Sequence, residues 1–243
     1  MKLINKKVLS FDCYGTLIDW ESGLVKALRT LGDEVFKSKS HDELLGIFAN
    51  IEHAMQADQS QLKYQEILYL VAQKVSEENG LTTSEHQLAN FSKSILEWQP
   101  FEDTTEALQK LSKHFKLVIL SNVDNESIAV SAHKMGDPFY KILTAEDVGA
   151  YKPSHKMFEY LFTTLENEGI SRDEILHVAQ SIYHDHVPAY DLWLDSVWIN
   201  RRHDKVGQGA TKEVSNEYTP KVKFRSLKEF VEYVDCVMKS SIR

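Results

Sequence analysis

Asp12, Lys152 and Asp185 are two carboxylates and an ammonium set far apart along the chain, and Ser121 and Asn122 add a hydroxyl and a carboxamide between them. Brought to one place, such groups could pair charges and bind a small polar molecule. The carboxylates, the hydroxyl and the carboxamide lie where an apolar run ends or beyond one, and Lys152 lies in a loop before a helix. Asp12 closes the run Val8-Leu9-Ser10-Phe11, Ser121 and Asn122 follow the run 117–120, and Asp185 follows the run 175–179. Lys152 stands before Pro153 and Ser154, which resemble a helix start. A cation there opposes the helix dipole, so an ion pair with a carboxylate would explain it; a solvated lysine is the plainer alternative. Taken alone, Asp12 reads equally well as a turn aspartate capping local amides. The argument for a site is convergence: open parallel sheets bind ligands beyond the carboxyl ends of their strands, and four separate connections could deliver these groups to one such edge.

The elements needed to do this are visible as alternation. Short apolar runs at 8–11, 117–120, 142–144, 175–179 and 196–199 read as buried strands, with helical patterns between them, such as 102–114 and 154–165. Strand–helix alternation implies an α/β fold, a doubly wound parallel-sheet core with helices on both faces. The stretch from Asp19 to Trp98 breaks that rhythm with helical patterns at 44–51 and 64–75 and no convincing strand. The expected organisation is a discontinuous core of residues 1–18 and 99–243 and an inserted helical cap of residues 19–98. Residues 203–218, polar and containing Gly207 and Gly209, read as a loop.

Composition narrows the function. With 28 basic against 36 acidic residues the net charge is −8, which argues against nucleic acid or an anionic membrane as partner while leaving room for a small anion. Cys13 and Cys236 are the only cysteines and have no metal-ligand spacing, so a disulfide framework is not expected and a reducing compartment fits. No apolar run approaches the roughly 20 residues of a membrane span, and residues 1–7 are too short and polar to begin a signal peptide. The expectation is a soluble, cytoplasmic protein, with a homodimer allowed.

Phe11-Asp12-Cys13-Tyr14-Gly15-Thr16-Leu17 resembles the first motif of the haloacid dehalogenase superfamily, Leu120-Ser121-Asn122 its second, Lys152-Pro153 its third and Ser181-Ile182-Tyr183-His184-Asp185 its acidic fourth. Family phosphatases carry an aspartate two residues after the nucleophile and another five before the fourth-motif aspartate, where this chain has Tyr14 and Gln180. That weakens both the magnesium and the phosphatase reading. The Asp-x-Tyr-Gly-Thr pattern is instead similar to the type II L-2-haloacid dehalogenase branch, which needs neither metal nor cofactor. The resemblance implies Asp12 as nucleophile on the carbon alpha to a carboxylate, Lys152 holding its charge, and Asp185 activating the water that hydrolyses the ester. It further implies that Tyr14, Ser121, Asn122 and amides near Cys13 receive a small carboxylate substrate.

The chain departs from true dehalogenases too. They receive the halide on a cap arginine about thirty residues after the nucleophile, whereas Arg29 is the only arginine between Asp12 and Arg172. The segment from Ser181 to Ala189, with Trp20, Glu21 and residues 48–52, is more similar to L-azetidine-2-carboxylate hydrolases, which expel a ring amine. An acidic cap residue suits that leaving group, and Glu52 is the candidate; a solvated helix carboxylate is its plainer reading. L-azetidine-2-carboxylate ring opening is therefore expected ahead of L-2-haloacid dehalogenation, with a magnesium-dependent phosphatase and a non-catalytic binding protein as rivals. His184 and His186 flank Asp185 without further metal ligands at a recognised spacing, so local hydrogen bonding is expected of them. Lys152 is expected to hold the Asp12 carboxyl below its ordinary pKa.

Overall fold

The computed structural model describes residues 3–59, 61–205 and 214–240. Six parallel strands form one sheet: β1 (Val8–Phe11), β2 (Lys116–Ser121), β3 (Lys141–Thr144), β4 (Ile175–Ala179), β5 (Ser196–Ile199) and β6 (Lys223–Phe224), in the order β3-β2-β1-β4-β5-β6. All four residues of β1 are buried, as a central strand covered on both faces requires. It pairs with β2 through Val8–Lys116 to Phe11–Ile119 and with β4 through Val8–Ile175 to Phe11–Val178. The chain winds one way from β1 to β3 and the other way from β4 to β6. The switch therefore falls between β1 and β4, the position at which such sheets open a crevice. Asp12 and Asp185 emerge on its two sides.

The first five helices after β1 are α1 (Trp20–Leu31), α2 (Asp33–Phe36), α3 (His41–Asp58), α4 (Tyr64–Glu78) and α5 (Glu85–Lys93). Ser40 and Glu43 close a capping box at the start of α3, so its entry is set by sequence. Leu44, Leu45, Phe48 and Ile51 of α3 and Ile67, Leu68, Val71 and Val75 of α4 are buried, the 3.6-residue stripes expected of packed helices. The chain leaves the sheet layer and returns to it at one place. Asp19 N–H donates to Gln99 C=O at 2.8 Å, and Phe101 N–H to Leu17 C=O at 3.0 Å.

The remaining helices are α6 (Thr104–Leu111), α7 (Asn125–Lys134), α8 (Ala145–Val148), α9 (His155–Glu166), α10 (Val187–Asp191) and α11 (Leu227–Ser240). The sequence reading found the strands to within a residue, apart from the two-residue β6. Of the loop expected at 203–218, residues 206–213 with Gly207 and Gly209 lie outside the described residues. Among the described residues no helix is long and apolar enough to cross a membrane.

Candidate active site

Asp12 leaves β1 into a turn whose Gly15 has φ +95°, a conformation that favours glycine, and a Cβ there would come 3.0 Å from the Trp20 indole nitrogen. The turn folds Thr16 back on the nucleophile candidate: its Oγ1 donates to Asp12 Oδ2 at 2.7 Å and accepts from the Gln180 N–H at 2.9 Å. Lys152, buried before α9, places all three of its donors. Nζ donates to Asp12 Oδ1 at 2.9 Å, to Asp185 Oδ1 at 2.7 Å and to the Leu120 carbonyl at 2.8 Å. Asp185 is delivered by a single π-type turn, Ile182–His186, a local insertion of the kind often found at functional sites. Asn122 does not point a free carboxamide at a ligand. It brackets the Lys152 backbone, accepting its N–H at 2.6 Å and donating to its carbonyl at 3.0 Å, and so holds the lysine loop to the end of β2.

Opposite this edge, α3 and α4 supply Glu52, Gln56 and Tyr64. The structure brings all seven residues singled out in the sequence to one cavity of about 80 Å³: Asp12, Tyr14, Glu52, Ser121, Asn122, Lys152 and Asp185. That is far below the roughly 300 Å³ at which drug-sized sites begin, so the cavity has room for a small molecule. Trp20, Trp98 and the Tyr14 ring form its aromatic wall, with Tyr14 and Trp98 edge to face at 5.7 Å. The Tyr14 hydroxyl is committed elsewhere, within 2.9 Å of Ser131 Oγ on α7. Three polar atoms of the cavity-wall residues are buried without a protein partner, Trp98 Nε1, Ser121 Oγ and Asp185 Oδ2. Such atoms are costly unless a ligand or water meets them.

Burial raises the Asp12 carboxyl above its ordinary value; Lys152 opposes this, and the neighbouring Asp185 charge reinforces it. This corrects the expectation that Lys152 would hold Asp12 low. One ammonium is shared between two carboxylates, and Asp185 takes the larger benefit. Burial alone would raise Asp185 as well, but Lys152 and the hydrogen bond from His177 outweigh it and hold that carboxyl well below the usual range. Glu52 has no cation to offset its burial and is pushed up to about 7, with Tyr64 and Gln56 donating to it. Cys13 is buried, does not line the cavity, and its thiol is pushed up by burial, as suits an inert side chain.

His184 and His186 are locally bonded, as expected. Burial lowers them to about 3 and about 4. His186 Nε2 meets the Ala179 carbonyl, and His184 stacks on His53 with ring centroids 5.4 Å apart. Arg201 and Arg202 act as ties. Arg201 donates to the Thr16 carbonyl and Asp103, and Arg202 to Glu21 of α1 at 2.6 Å and Asp42 of α3 at 2.9 Å. Arg29 is exposed and contributes nothing to the cavity wall. The sequence reading missed Thr16, although it stands within the quoted motif, and Gln56, Tyr64 and His177, for which no motif speaks.

Residues 6–182 match the profile of the haloacid dehalogenase-like hydrolases. The chain belongs to that family. Among curated haloacid dehalogenase-like relatives, it is 28% identical to (S)-2-haloacid dehalogenase H-109 of Pseudomonas putida over 84% of this chain and 91% of that one. It is 26% identical to the (S)-2-haloacid dehalogenase of Pseudomonas sp. strain YL over 86% and 90%. The L-2-haloacid dehalogenase of Xanthobacter autotrophicus superposes with a TM-score of 0.76 at 16% identity, covering 95% of this chain and 98% of that one. A structure of that enzyme with chloropropionic acid covalently bound superposes at 0.73. The shared fold is therefore that of haloacid dehalogenase-like hydrolases, with a six-strand parallel sheet. Magnesium, which phosphatases of the family use, fits this cavity poorly. The slot between Asp12 and Asp185 is filled by the Lys152 ammonium, which would repel a divalent cation, and positions 14 and 180 hold uncharged side chains.

Proposed function

We propose that this hydrolase breaks a bond at the α-carbon of a small 2-substituted carboxylate, with ring opening of L-azetidine-2-carboxylate as its preferred reaction. Asp12 attacks the α-carbon of the substrate with its ring nitrogen protonated, the Cα–N bond breaks, and its electron pair goes to that nitrogen, which becomes a neutral amine and ends as an ammonium after taking a proton from solvent. Water then adds to the Asp12 ester carbonyl, Asp185 accepts its proton and returns it to the departing hydroxyl, and 2-hydroxy-4-aminobutyrate leaves. Ser121 Oγ, buried without a protein partner beside Asp12, suits the substrate carboxylate. Two roles among the seven are narrowed. Asn122 acts by holding Lys152, and Tyr14 by its ring.

The observation that carries the leaving group is Glu52. It is a buried carboxyl facing the catalytic carboxylates across an aromatic-walled cavity, and no arginine is among the lining residues. Carboxylate and aromatic faces stabilise a cation and not a halide anion. L-2-haloacid dehalogenation is the second reading, favoured by the curated relatives at 28% and 26% identity. The test measures turnover of L-azetidine-2-carboxylate and L-2-chloropropionate by the parent protein and by Glu52→Gln. The expected result is faster azetidine opening by the parent and a selective loss of that reaction in the variant. Faster chloride release by the parent would overturn the ranking, and equal losses would make Glu52 a structural residue.

A further inference from the structure

Beneath the cavity floor lies a polar side chain that the mechanism above does not use. His177 sits in the middle of β4, wholly buried, in a strand whose other residues are apolar. Such a position would ordinarily hold Val or Ile, so an imidazole there imposes a cost that specific partners must offset. Those partners are present. His177 Nε2 lies 3.0 Å from Asp185 Oδ1, and Nδ1 lies 2.9 Å from Ser10 Oγ on β1. The Phe158 ring of α9 closes over the imidazole edge to face at 5.3 Å. The carboxylate has only lone pairs to offer, so Nε2 carries the hydrogen and donates it. Ser10 can donate or accept, and so completes the ring's bonding in either state.

The consequence falls on Asp185. Its Oδ1 receives both Lys152 Nζ and His177 Nε2, while its Oδ2 is buried without a protein partner. Two donors from different directions fix the rotation of the carboxylate about its Cβ–Cγ bond. Lys152 alone would leave that rotation to a single contact. We propose that His177 is a positioning residue for the second step: it pins Oδ1 so that Oδ2 stands as the acceptor for the proton of the hydrolytic water. The inference rests on the ester mechanism above but not on the choice of leaving group, since azetidine opening and dehalogenation pass through an Asp12 ester alike.

The balance of the step is simple. Water oxygen bonds to the ester carbonyl carbon of Asp12, and its proton goes to Asp185 Oδ2. The bond from that carbon to the substrate oxygen then breaks, the proton passes to the leaving oxygen, and both carboxylates are restored.

The experiment follows both steps in single turnovers of the full-length protein, with L-azetidine-2-carboxylate and L-2-chloropropionate, reading the ester on Asp12 by intact mass. His177→Leu is expected to form the ester at the parent rate and clear it more slowly, on the order of 10–100-fold, as when an outer-shell partner is lost. The ester then accumulates. His177→Gln keeps an N–H within reach of Oδ1 and is expected to restore most of the clearance.

A second readout separates positioning from packing. The groups facing His177 and its partner are Asp185, Asp12, Lys152 and His186. Losing a donor to the charged form should raise Asp185, so the acid limb of ester clearance should move to higher pH in His177→Leu while the limb of ester formation stays. Slower clearance by a more basic Asp185 is a signature that a merely structural histidine would not produce. If His177→Leu does not fold, Ser10→Ala removes only the Nδ1 partner and should give the same pattern in smaller degree. Clearance at the parent rate in the variant that folds, or equal slowing of both steps, would overturn the proposal. If the parent protein forms no ester from either substrate, it is the hydrolase reading that fails, a different result from an ester that forms and clears unchanged.

Discussion

Lys152 is shared between two carboxylates, and that sharing governs how the site responds to pH. Asp12 must be ionised to attack, so the first step should fall away as pH drops through its raised pKa, at higher pH than for an ordinary aspartate near 3.8. In Lys152→Met the opposing ammonium is gone, and the acid limb of ester formation should move further up; a limb that stayed in place would contradict the coupling. The same variant leaves two carboxylates uncompensated in a buried setting, so denaturant unfolding should show a loss of about 3–5 kcal/mol. Asp12→Asn tests the nucleophile itself. It should fold and not turn over, and a single turnover of the parent in oxygen-18 water should leave the product's new hydroxyl unlabelled, because that oxygen comes from the carboxylate. Full labelling there would rule out the covalent route. At this scale most of the candidate site was legible. Asp12 and Ser121 sit where an apolar run breaks into a polar connection, Asp185 in the connection after another and Lys152 before a helix start, and those contrasts are visible in one dimension. His177 was not legible because a single histidine inside an apolar run looks like part of the strand, and its meaning lies in Ser10 and Asp185, 167 and 8 residues away. The direction of the Asp12 shift is not legible for a related reason: sequence suggests the cation but not the burial that outweighs it.

Elements set how accurately those residues are held. Gly23 stands inside α1, where glycine costs about 1 kcal/mol relative to alanine, yet a Cβ there would fall 2.1 Å from Trp98 Cδ1. The glycine lets α1 lie against the indole that walls the cavity. Gly23→Ala should therefore gain nothing from helix propensity. It should displace Trp98, lower turnover and raise KM for the small substrate; unchanged kinetics with a more stable fold would show that the wall gives way freely. The strands and the two long helices α3 and α4 were readable from periodicity because each buries a regular stripe. β6 was not, since two residues carry no period, and neither Gln56 nor Tyr64 announced itself, because a polar residue on a helix face looks solvated until another helix covers it.

For the whole molecule, the buried Glu52 makes a pH-dependent contribution to stability that can be measured without substrate. Its carboxyl is pushed up from 4.5 to about 7, so the folded state binds a proton that the unfolded state releases between those values. The contribution is fully present below about 4.5 and is lost as pH rises through about 7, amounting to about 3 kcal/mol in all. Glu52→Gln should flatten that part of the stability profile and be the more stable protein above pH 7. A profile unchanged by the substitution would mean that Glu52 is not held in the buried state described.

The paired crossings at Leu17 to Asp19 and Gln99 to Phe101 carry a consequence for descent. From the sheet's side, the helices between them form a single long loop closed by adjacent hydrogen-bonded residues, and lengthening or rebuilding such a loop changes its closure entropy only slowly. Asp12, Lys152 and Asp185, with the roles proposed for them, lie on one side of that junction, and Glu52 lies on the other. On the proposed roles, attack chemistry and leaving-group preference could therefore be inherited separately. On the same proposal, a lineage could exchange the helical cassette and change what it expels while Asp12 stays in place.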